Sequence, residues 1–245
     1  MSRIMRAGKS RRRWALAVPA FTLAGLTATA GTASAATGTA AESASQIVPA
    51  ATAAMSGLKA VTIKGSGLDG KQPLSFDIMT STDGDAQGSL SEQGSTISLI
   101  EVGSTGYLRA NEKFYTTSGL GKTAAAKVAG HWLYGSSTTQ PFSSFTAFLD
   151  LKEFLTDLDD GFTGSTFTKT GTAKVGGKPV VVVTGYDAKA KDGGRLYVAA
   201  TGTPYILKEV STGKGNTGTV TFSGFNQALT TTAPAGAVSA ATYGL

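Results

Sequence analysis

Turn residues recur about every ten positions along most of this chain, and the stretches between them alternate apolar with polar side chains. A two-residue period sends successive side chains to opposite faces of a strand, and connections this short join antiparallel neighbours. Leu74, Phe76 and Ile78 alternate with Ser75, Asp77 and Met79, while Val61 and Ile63 alternate with Ala60, Thr62 and Lys64. Asp69-Gly70 and Asp83-Gly84 are hairpin turns of the type that needs a glycine. Further strands are expected at 86–92, 96–102, 105–110 and 112–117, with a short extended piece at 131–134. Five more are expected at 165–175, 178–186, 194–200, 204–212 and 217–224. Val180 to Val183 form an unbroken apolar run, so that strand should be covered on both faces.

The period changes in three places. Ile47, Ala51, Met55 and Leu58 form one helical stripe; Pro49 belongs in a first turn, which places the regular helix from about Val48 to Gly57. A short helix is expected over 122–130. A longer one opens at Pro141 and closes at Gly161, and on it Phe145, Phe148, Leu151, Leu155 and Leu158 step by three and four residues. Phe142, Phe145, Phe148 and Phe154 are four of the eleven phenylalanines. Strands in this number with an aromatic-faced helix between them predict an α+β fold, a large antiparallel sheet curled around two or three helices. Phe142, Phe145, Phe148, Leu151, Phe154 and Leu155 should then face the sheet. Such a stripe is ordinary core where the layer is filled and an apolar ligand cavity where it is not, and the spacing leaves both open.

The ends carry a different message. Arg3, Arg6, Lys9, Arg11, Arg12 and Arg13 precede an apolar stretch from Trp14 to about Ala30 and the small-residue site Ala33-Ser34-Ala35, the layout of a cleaved secretory signal over residues 1–35. Arg11-Arg12-Arg13-Trp14 resembles a twin-arginine signal, but Ala15 is a poor match to it and the stretch reads as an ordinary basic n-region. The chain has 22 basic and 16 acidic residues, and these six bases account for the entire excess of +6, so residues 36–245 are formally neutral. With Arg109 and Arg195 the only arginines there and no basic run, nucleic acid is not an expected partner. The absence of Cys removes disulfides and a lipidated N-terminal Cys, so packing must hold the fold and no stable membrane anchor is expected. The expected location is secreted or wall-associated. Residues 36–44 are small and polar, an expected disordered lead, and 236–245 are rich in small residues, an expected loose tail, around a single domain at 45–235.

Motifs with chemical meaning fail on their context. Thr116 to Thr123 resembles a phosphate-binding loop, but Thr116 stands where glycine is required. Ser56-Gly57-Leu58-Lys59 and Lys169-Thr170-Gly171 match two elements of the penicillin-recognising enzymes; the third is missing, and Gly57 separates Ser56 from Lys59. His131 is the sole histidine, beside Trp132, with no sequence partner for a triad. Asp157, Asp159 and Asp160 miss the calcium-loop spacing. No catalytic residue, metal or cofactor is therefore expected, and the chain is expected not to be an enzyme.

Across residues 45–235 the sequence resembles the LppX/LprG group of actinobacterial envelope lipoproteins, which share the LolA/LolB-like fold. The resembling pieces are Gly106-Tyr107-Leu108, Phe114-Tyr115, Gly130-His131-Trp132, the Phe142–Leu158 stretch, Val175-Gly176-Gly177-Lys178-Pro179, Arg195-Leu196-Tyr197-Val198, Gly202-Thr203-Pro204-Tyr205, Thr221 to Asn226 and Ala233-Pro234. The resemblance implies a half-barrel of antiparallel strands around helices with an apolar cavity between them, and a role in carrying lipids or lipid-bearing proteins. This chain departs from the group in lacking the lipidated Cys. The alternative is a cell-wall structural or interaction protein with a filled core and no ligand.

Overall fold

The structure, a computed structural model, describes residues 38–69, 71–162, 164–189, 191–213 and 216–245; the expected signal at 1–35 lies outside them. Twelve strands form one sheet. In chain order they are β1 (Ala60–Asp69), β2 (Gln72–Ser81), β3 (Ala86–Glu92), β4 (Ser95–Val102), β5 (Thr105–Ala110), β6 (Leu133–Ser136), β7 (Thr166–Val175), β8 (Lys178–Asp187), β9 (Asp192–Ala199), β10 (Ile206–Gly213), β11 (Asn216–Ser223) and β12 (Val238–Ser239). Their spatial order is β12-β6-β5-β4-β3-β2-β1-β11-β10-β9-β8-β7. Five α-helices lie among the described residues: α1 (Ala44–Ser56), α2 (Glu112–Thr117), α3 (Lys122–Val128), α4 (Thr146–Leu149) and α5 (Leu151–Phe162). The expected α+β class and large, mainly antiparallel sheet are what is found.

The described residues divide into two compact units. The first holds Leu58–Leu158 and Val220–Leu245; the second holds 38–57 and 159–219. In the first unit, β1 to β6 form an antiparallel meander. Following the register across them gives three inward rows: Val61, Thr80, Ala86, Glu101, Gly106 and Gly135; then Ile63, Ile78, Gly88, Leu99, Leu108 and Leu133; then Gly65, Phe76, Leu90, Ile97 and Ala110. The opposite face carries Ser, Thr, Gln and the exposed Lys64–Asp77 pair at 2.7 Å. In the second unit, β7 to β10 form a second antiparallel meander with α1 packed on β7 and β10. Val180, Val181 and Val183 are fully buried there, whereas Val182 is half-buried, so the strand is covered on one face and in part on the other.

The structure corrects several local expectations. Residues 112–117 are helix α2 rather than a strand. Asn111 accepts a hydrogen bond from the Phe114 amide at 3.1 Å and donates to the Gly94 carbonyl at 3.0 Å, so it caps the helix and ties it to the β3–β4 turn. Replacing Asn111 by Ala should cost about 1–2 kcal/mol by urea denaturation; a loss under a few tenths would mean the cap is unimportant. Helix α1 starts at Ala44, earlier than Pro49 suggested, because Gln46 Oε1 reaches back to the Ser43 amide at 3.0 Å. The extended piece expected at 131–134 is displaced to β6, since His131 still bonds back to Val128 at the end of α3.

The single helix expected from Pro141 is three pieces: a 3-10 turn at Phe142–Phe145, then α4, then α5. Asp150 is extended, and its Oδ1 accepts from the amides of Lys152 and Glu153 at 2.8 and 3.0 Å, ending one helix and capping the next. Gly38–Ala41, within the expected lead, forms a 3-10 turn with Thr39 buried, and Lys169 Nζ donates to the carbonyls of Ala40 and Glu42. Within the expected tail, β12 pairs in parallel with β6 and Ala240 is buried. Thr231 pins the preceding segment by donating from Oγ1 to the Glu101 carbonyl at 2.8 Å.

Candidate functional site

The inward rows of the first unit are where an apolar ligand would have to sit, so the question is what covers them. The first row is built of small residues at its β5–β6 end, where Gly106 and Gly135 are paired. Phe142 fills the space that their missing side chains leave: a Cβ on Gly135 would fall 2.5 Å from the Phe142 ring, and one on Gly106 2.9 Å from it. Phe145 follows, 2% exposed and 6.2 Å from the Phe114 ring. The buried Thr80 hydroxyl donates to the Leu149 carbonyl and anchors the end of α4 to the sheet. The space left between this helical segment and the sheet, lined by Leu99, Glu101, Tyr107, Phe142, Phe145 and Leu149, is about 10 Å³, room for roughly one water. Burial pushes the Glu101 carboxyl at its rim up; a hydrogen bond with Ser137 pulls it down and the Asp150 charge pushes it up again.

The six residues predicted to face the sheet therefore do not form one group. Phe142 and Phe145 are buried in the core of the first unit, and Phe148, partly buried, packs against the same core. Beyond the break at Asp150, Leu151 and Leu155 are buried outside that cluster, and Phe154 packs instead against Phe222 of β11 at 6.1 Å. Open space lies elsewhere on the same face. Phe148 packs at a tilt against Phe76, ring centroids 5.4 Å apart, and Phe76 covers Gly65, where a Cβ would meet the ring at 2.2 Å. Two residues further along β2, Leu74 opens onto a groove of about 330 Å³ lined by Gly67, Pro73, Leu74, Glu92 and Gly94 at the hairpin ends of β1–β2 and β3–β4. That volume is in the range of small-molecule sites. Leu74 and Phe76 were legible as inward-facing, but a groove arises from how far neighbouring hairpins extend, which periodicity does not encode.

Each chemical motif has a definite place in the fold. Thr116 to Thr123 joins α2 to α3, helix to helix, rather than leading from a strand. Ser56 ends α1, Lys59 precedes β1, and Lys169-Thr170-Gly171 is a bulge in β7. His131 is exposed in the turn after α3, and Trp132 is covered by Arg109, whose guanidinium carbon lies 4.8 Å from the ring centroid. No group of three potential metal ligands occurs among the described residues. Asp157 is exposed; the side chains of Asp159 and Asp160 lie outside the description.

The arrangement of strands and helices matches that of LprF from Mycobacterium bovis, with a TM-score of 0.54 and 16% identity over 79% of this chain and 97% of that one. The chain has the fold of LprF. Weaker similarities extend to the Mycobacterium tuberculosis lipoprotein LppX, at a TM-score of 0.47 and 16% identity over 76% of this chain and 96% of that one. They also reach a LolA-superfamily protein from Nitrosomonas europaea, at 0.26 and 8% over 78% and 96%. No family model matches the sequence, and no curated protein matches it. The LprF-like fold agrees with the fold implied by the sequence resemblance. Among the described residues no helix is long and apolar enough to cross a membrane.

Proposed function

We propose that this chain is an exported, non-enzymatic carrier that holds the acyl chain of a lipid or of a lipidated partner on the inward face of its first unit. The observation that carries this reading is the groove at Leu74, two residues from Phe76 and its partner Phe148 on the same strand face. An acyl chain entering there meets apolar surface at once. Each methylene removed from water contributes about 0.8 kcal/mol. The cover over the next part of the face is a four-residue 3-10 turn and a four-residue helix, too short to hold together without the sheet. A chain longer than the groove can displace Phe148 before it meets the buried Phe145. The fold shared with LprF and the description of LppX as a lipoprotein support an envelope role.

The second reading, an interaction protein of the cell wall with a filled core, is favoured by one observation. The space at Phe142 and Phe145 is already occupied. Two measurements separate the readings. Mass spectrometry of solvent extracts of the protein made in its own host should find acyl species, and a fluorescent fatty-acyl probe should bind the delipidated protein. Leu74→Glu should weaken probe binding about tenfold or more, because a carboxylate buried against an acyl chain is costly. No extracted lipid together with no probe uptake would leave only the filled-core reading.

A further inference from the structure

The second unit contains a buried acid that the carrier reading does not use. Glu209 on β10 is 6% exposed. Register carries it inward: Glu209 faces Leu196 of β9, Leu196 faces Val183 of β8, and Val183 faces Lys169 of β7. Lys169 shares that face and reaches the carbonyls of Ala40 and Glu42, just ahead of α1, so Glu209 points to the side of the sheet on which α1 packs. Around it the floor is Val181, Val183, Leu196 and Val198, each at most 1% exposed. Among the described residues no hydrogen bond or ion pair reaches its carboxylate, and burial alone pushes the group up to about 7.

The groups that could compensate a charge there are few. Helix α1 has no titratable residue from Ala44 to Ser56, and β11 has none from Asn216 to Ser223. The inward positions of β8 and β9 nearest to it are apolar or glycine; the buried Asp187 and its register partner Asp192 lie on the same face, four residues along β9 from Leu196. Lys208 lies over the Tyr197 ring at 5.3 Å. Lys169 stands three strands away at the other margin, near Glu42, with its ammonium engaged by main-chain carbonyls. Helix α1 does not stand alone either. It has thirteen residues with Pro49 inside, so its stability comes from packing on this floor.

We propose that α1 is a lid on the second unit and that Glu209 is the switch that loosens it as pH rises. Lifting α1 hydrates Glu209 and returns its carboxyl to the ordinary carboxylate range near 4.5. An acid whose value is raised in the closed state favours closure below about 4.5, and that preference is lost as pH climbs to about 7. Over this window the open-to-closed ratio of α1 should rise on the order of 100-fold, then level off. Opening uncovers the Val181–Val198 floor by local unfolding. The proposal goes beyond the carrier reading and stands even where no lipid binds.

Hydrogen exchange followed by mass spectrometry tests it on the whole chain at pH 4.5, 6, 7 and 8, with rates corrected for intrinsic exchange. The α1 amides should exchange faster than those of β8 at every pH, and their corrected rate should climb about 100-fold between pH 4.5 and 7. In Glu209→Gln, and in Glu209→Met as a second neutral variant, the α1 rate should stay flat. Exchange of α1 at the rate of β8 would mean that it opens only when the unit unfolds, and a climb that persists in both variants would mean that another group is responsible. Either result overturns the proposal.

Discussion

Phe145→Ala should lower the free energy of unfolding by about 4 kcal/mol, measured by urea denaturation with Trp132 fluorescence as the probe in the same unit. Phe145 is 2% exposed and its ring meets Phe114 in the core of the first unit. The cost has two parts. Transfer of a buried aromatic side chain is lost, and a cavity is left that Phe142 and Leu149 cannot collapse into, because Gly106, Gly135 and Thr80 already fix them to the sheet. Phe148→Ala should cost only about 1–2 kcal/mol, since Phe148 is partly exposed beside Phe76. The contrast divides one aromatic stripe into a structural half and a half that can move. A Phe145→Ala loss below about 1 kcal/mol would show that the layer is loose throughout, and the groove would then extend to Phe142.

How far the sequence discloses this division is instructive. The inward face of β2 is plain in Leu74, Phe76 and Ile78, because a strand half covered by core must alternate. Val180 to Val183 likewise announced a buried strand, although Val182 and Thr184 leave its second face only partly covered. The aromatic stripe after Pro141 was visible as apolar spacing, but spacing carries no sign of Asp150, whose carboxylate ends one helix by binding the amides of the next. Residues 112–117 were expected to be extended; Phe114 and Tyr115 are both buried, and the Asn111 cap decides for helix. Glu209 was hidden for a different reason. The register of β10 shifts between Ile206 and Lys208, so an alternation counted from Ile206 puts Glu209 on the wrong face. In each case a single polar side chain or a one-residue slip overrides a pattern that is otherwise correct. The groove at Leu74 depends on the relative length of two hairpins, a tertiary property with no local signal.

Gly135→Val should destabilise the first unit by about 3 kcal/mol, and the size of that loss should depend on Phe142. Gly135 lies in β6, and the atom it would crowd is Cε2 of Phe142, 2.5 Å from the added Cβ. Strand β6 is held by β5 on one side and by β12 on the other, so the backbone has little room to retreat. The ring must leave instead, and its departure exposes a side chain that is now 5% accessible. Gly106 offers no escape, since it seats the same ring from the neighbouring strand, where an added Cβ would fall 2.9 Å from it. Phe142→Ala alone should cost about 3 kcal/mol by losing the same burial. Once the ring is absent, valine at 135 has space to occupy and partly refills it. The double variant should therefore lose at least about 1 kcal/mol less than the sum of the two single losses, because the residues share one contact. Strictly additive losses would mean that Phe142 does not rest on Gly135, and the aromatic layer would lack the glycine seat that keeps it closed at this end. With coupling confirmed, Gly135→Val becomes a way to open the layer from inside. It should then raise acyl-probe uptake severalfold over the parent chain if the face beneath is the carrier's floor, and leave uptake unchanged if that face is core.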